Sequence, residues 1–113
     1  MRVQKVIDEP LKTRHDLIQI MDAAAAYLSS RDTDAGSQAV VMWKLWASPD
    51  GKPWIALQLD DQGYYESRTF APSQLADDNR NLRLVMIWND VLSERTRREV
   101  ERVNELIRQY QGD

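Results

Sequence analysis

The chain has 113 residues, 42% of them hydrophobic and 29% charged, with no cysteine and a formal net charge of −3. That length suits a single domain, residues 1–113, able to bury a core without covalent staples. The missing cysteine excludes disulfides, thiolate metal sites and a cysteine nucleophile; nucleic-acid binding needs a concentrated basic patch, and the sequence shows no continuous basic stripe.

Met1 to Glu9 contains no apolar run of signal-peptide length. The uncharged stretch Gly36–Trp43 falls far short of a membrane span. The sequence therefore reads as soluble and cytoplasmic, with no membrane partner. Val3–Ile7 forms either a short edge strand or an ordered arm. Thr13-Arg14-His15-Asp16 has capping-box spacing, with Thr13 taking the Asp16 amide proton. Behind it, Leu17, Ile20, Met21, Ala24, Ala25 and Leu28 fall on one helical face, which predicts a helix over about 13–30. A polar loop follows over 31–37.

Ala39–Ala47 has strand character and ends at Ser48-Pro49-Asp50-Gly51-Lys52, a turn with proline at its first corner and glycine for positive φ. A bulged three-residue loop there pairs Trp46 with Trp54, Leu45 with Ile55 and Trp43 with Leu57. One face then collects Val41, Trp43, Leu45, Ile55, Leu57 and Leu59, which is the core face. The other collects Met42, Lys44, Trp46, Trp54, Ala56 and Gln58. A second turn, Asp60-Asp61-Gln62-Gly63-Tyr64, repeats the chemistry and leads to a strand over Tyr65–Phe70. The same register places Phe70 opposite Trp54. Residues 71–81 connect to Leu82–Trp88, whose near-continuous apolar character predicts a fourth, doubly buried strand. Asn89 or Asp90 then caps a final helix, along which Leu92, Thr96, Val100, Val103, Ile107 and Tyr110 recur at spacings of three and four before Gly112.

The polar constellations carry little chemistry. His15 is the only histidine and sits one residue from Asp16, about 100° away around a helix, so the two do not face each other. Asp60-Asp61 and Asp77-Asp78 are turn formers rather than a converging oxygen cage. Arg95, Arg97, Arg98, Arg102 and Arg108 alternate with Glu94, Glu99, Glu101 and Glu105, which describes a solvated, ion-paired helix face. No phosphate loop, metal-ligand spacing or catalytic triad is present, and no cofactor is implied.

The expected fold is α+β: a four-stranded, mainly antiparallel meander flanked by an N-terminal and a C-terminal amphipathic helix. Two helices cannot cover both faces of such a sheet, and the second face is too apolar to leave in water. Met42, Trp46, Trp54 and Phe70 are accordingly the expected interface residues, facing another copy of the chain or another protein. The expected function is a non-catalytic protein-interaction module of the adaptor, inhibitor or chaperone-like kind, working as a homodimer. The alternative is a ligand binder or enzyme with a pocket between sheet and helices, lined by Trp43 or Trp88.

Overall fold

The computed structural model describes residues 1–112. The elements run β1 (Arg2–Ile7), a 3-10 turn (Glu9–Leu11), α1 (His15–Ser30), β2 (Val40–Ala47), β3 (Pro53–Asp61), β4 (Tyr64–Phe70), α2 (Pro72–Ala76) and α3 (Arg80–Gln111). They form an α+β fold around one four-stranded sheet of order β1-β2-β3-β4. β2, β3 and β4 pair antiparallel, but β1 pairs parallel with β2, so the sheet is not a plain four-strand meander. A parallel pair needs a crossover, and α1 supplies it.

The first hairpin has the expected register, with Trp46 opposite Trp54 and Trp43 opposite Leu57. The turn closes through the Ser48 amide donating to the Lys52 carbonyl at 2.9 Å, with Gly51 at φ 85°. The second hairpin differs. Asp61 pairs with Tyr64, so only Gln62 and Gly63 form the loop, both at positive φ (55° and 90°), as a two-residue hairpin turn of the primed type requires. Losing one loop residue moves β4 by one position, and Phe70 pairs with Ile55 rather than Trp54. A one-residue shift turns every side chain to the other face.

Val41, Trp43, Leu45, Ile55, Leu57 and Leu59 are all buried and face the helices. α1 lays Leu17, Met21, Ala24, Ala25 and Leu28 against them, and its alanines allow close approach. Its start differs from the expected capping box. Arg14 holds the N-cap position without a side-chain cap, and Asp16 pairs with the Arg14 guanidinium at 3.0 Å.

The largest departure from expectation is at the C-terminus. Leu82–Trp88 is not a strand but the opening of α3, a 32-residue helix. Asn89 and Asp90 therefore lie inside the helix and cap nothing. α3 is anchored at its start by Asp77, whose carboxylate accepts from the Asn79 amide at 2.9 Å and the Arg83 guanidinium at 2.6 Å. Leu84, Ile87, Trp88 and Val91 are buried, at the helical period of three and four. From Glu99 to Gly112 every residue is exposed, so the C-terminal part of α3 leaves the body as an arm. The principal extents of 64 × 27 × 23 Å record that projection. No helix among the described residues is long and apolar enough to cross a membrane.

Candidate interaction surfaces

Three features stand out once the core is filled, and the first is a polar clamp that fixes α3. Asp61 ends β3 on the core side and is buried. Its carboxylate accepts from Arg95 Nε at 3.0 Å, Arg95 Nη2 at 3.0 Å and Arg98 Nη2 at 2.8 Å. Arg95 also donates to Ser37 Oγ and packs its guanidinium 5.1 Å from the Trp88 ring centroid. Arg98 adds Gln62 Oε1 at 3.0 Å. Burial alone would raise the Asp61 pKa, but the hydrogen bonds and charges of the two arginines outweigh it and hold the carboxyl below its ordinary value. The arginines spend their donors on Asp61, so the cleft they line with Ser37 and Gln62 is braced from within. Arg95 and Arg98, which the sequence places on a solvated ion-paired face, are instead drawn into this clamp. Arg97 does bridge Glu94 and Glu101, and Arg102 meets Glu99 at 3.1 Å.

The second feature is the outer face of the sheet, which no helix covers. By strand alternation it carries Gln4 from β1, Val40, Met42, Lys44 and Trp46 from β2, Trp54, Ala56 and Gln58 from β3, and Tyr65 from β4. Trp46 and Trp54 stack with centroids 6.5 Å apart and planes 29° apart, and the Trp54 indole donates to Ser48 Oγ at 3.3 Å. Further along the same face, toward the second hairpin, a shallow depression is lined by Gln4, Val40, Met42, Gln58 and Tyr65. Met42, Trp46 and Trp54 thus share one face, as the hairpin register predicts. Phe70 does not join them. It lies on the helix side, buried at 7% exposure within the core. Its expected place opposite Trp54, in an aromatic ladder with Trp46, requires a three-residue second turn, which the two-residue loop replaces.

The third feature is the outward side of α3. Of the large apolar side chains exposed on the protein, Leu82 and Met86 lie near the start of this helix, Leu92 in its middle, and Val100, Val103, Leu106, Ile107 and Tyr110 in the arm. Leu82, Met86, Val100, Val103, Ile107 and Tyr110 all fit one 3-4 heptad repeat, interrupted only by Asn89, Ser93 and Thr96. Leu92 and Leu106 flank it at the preceding position. At about 100° per residue the repeat lies roughly 150° around the helix from Leu84, Ile87, Trp88 and Val91. It points away from the body. The spacing from Leu92 to Tyr110 was visible in the sequence, but its continuation to Leu82 was hidden by reading 82–88 as a strand.

The remaining singled-out groups are scattered. His15 is exposed in the first turn of α1. Trp43 and Trp88 are core residues at 0% and 2% exposure, and their indole N–H groups have no partner among the described residues. Glu66, on the core side of β4, is nearly buried. Burial and a hydrogen bond with Asp90 of α3 raise its pKa against the lowering charge of Arg68. No family model, curated protein or solved structure matches this chain.

Proposed function

We propose that this protein is a non-catalytic protein-interaction module that works as a homodimer and presents the outer face of its sheet to another protein. The supporting observation is the uncovered Met42, Trp46 and Trp54 surface, on one side of a sheet whose other side takes all three helices. Stacked tryptophans bury a large area at small entropic cost, which suits the centre of a contact. Lys44 and Gln58, exposed on the same face, supply polar atoms around it. The partner is of the kind an adaptor, inhibitor or chaperone-like binder takes: a protein with an apolar ridge to lay across the sheet. The absence of cysteine fits a reducing, cytoplasmic setting.

The test is a photo-crosslinking amino acid at position 44, used in cells. The expected product is an adduct with one defined heterologous protein. Trp54→Glu removes that adduct while circular dichroism stays native. An adduct made only with a second copy of the chain, or no adduct, rejects the reading. Unfolding of Trp54→Glu would instead make the ladder part of the core.

A further inference from the structure

We propose that α3 pairs antiparallel with α3 of a second copy along its full exposed heptad stripe, with Met86 of one copy against Val103 of the other. This deepens the homodimer reading and rests on it, but it is independent of the sheet face. A helix is stable in water chiefly through packing of its apolar side. The arm of α3 has no such packing within the chain. Its Val100, Val103, Leu106, Ile107 and Tyr110 are 45–92% exposed. Away from that stripe the arm carries ion pairs of its own, Arg102–Glu99 and Arg108–Glu105. The face in want of a partner is therefore the apolar one. It meets the requirement for a seam, seven-residue repetition with apolar residues three and four apart.

A second copy supplies the matching seam, and the distribution of residues along the stripe selects the antiparallel arrangement. Apolar residues lie at both ends, Leu82 and Met86 at one and Val100 to Tyr110 at the other, with Asn89, Ser93 and Thr96 between. With the two-fold axis between residues 94 and 95, Leu82 meets Ile107 of the second copy, Met86 meets its Val103, and Ser93 meets its Thr96. The flanking positions then place Asp90 beside Arg97 of the second copy, twice by symmetry. They also place Val85 beside Leu106 and Leu92 beside Glu99 of that copy.

Sliding by one heptad is disfavoured in both directions. One slide opposes Arg97 to Arg97 and Glu99 to Glu99. The other opposes Asp90 to Asp90 and Arg83 to Arg97. Like charges directly opposed are destabilising, so the charges fix the register. A parallel pair in register makes no flanking ion pair at all. The receiving side is open, because Leu82 and Met86 are each 60% exposed. Met86 and Asp90 also border a shallow groove with Arg68 and Phe70.

The area suffices. The overlap from residue 82 to 107 is about 39 Å long at 1.5 Å per residue, and half the girth of a helix about 11 Å across is about 17 Å. That strip covers on the order of 650 Å² per copy, close to the ~800 Å² per partner of a standard interface.

The test is sedimentation of the full chain and its variants, with circular dichroism as the control for folding. The wild-type chain is expected at twice the chain mass. Asp90→Arg shifts it toward the monomer by opposing two arginines, and Asp90→Arg with Arg97→Asp restores the dimer with the charges exchanged. The chain has no cysteine, so disulfide trapping reads orientation cleanly. A mixture of Ser93→Cys and Thr96→Cys proteins forms the mixed disulfide, and Met86→Cys alone forms none. A monomeric wild-type chain overturns the pairing. So does a dimer whose mass the charge variants leave unchanged, which would spare the homodimer reading. Homodisulfide formation by Met86→Cys would show a parallel pair and reject the antiparallel one.

Discussion

Asp61 shows how one side chain decides the placement of an element. It ends a strand, is buried, and among the described residues is the only carboxylate on which both Arg95 and Arg98 converge. Removing its charge leaves two guanidiniums facing a neutral amide, and breaking a buried pair in this way is strongly destabilising. Because both arginines keep some contact with water, Asp61→Asn should cost about 2 kcal/mol at neutral pH, below the full penalty for a wholly buried pair. The folded carboxyl sits below its ordinary pKa. Its stabilisation is therefore complete above an unfolded value of about 3.9 and is lost as pH falls through the lower folded value. Thermal melts of wild type and Asp61→Asn should differ most at neutral pH and converge in strong acid. A gap that persists unchanged into acid would mean that the charge of Asp61 is not what holds α3.

At the scale of elements, α3 divides into two parts with different duties. Its first part buries Leu84, Ile87, Trp88 and Val91 and carries the clamp, while every residue from Glu99 onward is exposed. A chain ending after Arg98 should therefore lose only the helical circular dichroism of the arm itself and melt within a few degrees of an Asp90→Arg monomer, because no burial is lost. A collapse of the body would show that the arm packs where the structure leaves it free. The same helix marks the limit of what the sequence made legible. The first helix, the first hairpin and the core face followed from periodicity and from Pro49-Asp50-Gly51. Leu82–Trp88 misled because a short apolar run cannot be told from a buried helix by pattern alone. The discriminating signal was the absence of any glycine or proline from Ser73 to Gln111, which leaves no break at which a strand could give way to a helix. Phe70 misled because Asp60-Asp61-Gln62-Gly63 supports a two-residue turn as readily as a three-residue one, and the choice decides which face the strand presents. The Asp61 clamp was hidden because its partners are 34 and 37 residues away.

For the molecule as a whole, shape is the informative quantity. A compact chain of this length has a radius of gyration of about 13 Å, whereas the Cα value here is 17.6 Å. The difference is the arm. In the proposed antiparallel pair each arm would lie back along the other copy: the axis between residues 94 and 95 leaves ~26 Å of arm on one side and the remainder of the 64 Å chain on the other, so X-ray scattering from the dimer should give a longest dimension of ~76 Å. Contact between arm tips alone would lengthen the particle well beyond that. The uncovered sheet face gains a further meaning from this arrangement. In that pair the helices would lie between the two sheets, so each copy's Trp46 and Trp54 would look outward in opposite directions. Such a particle is bivalent without being a clamp. Its two sites are back to back and cannot close on one small ligand, so it would join two separate molecules, and its avidity would appear only against targets that are themselves repeated or clustered.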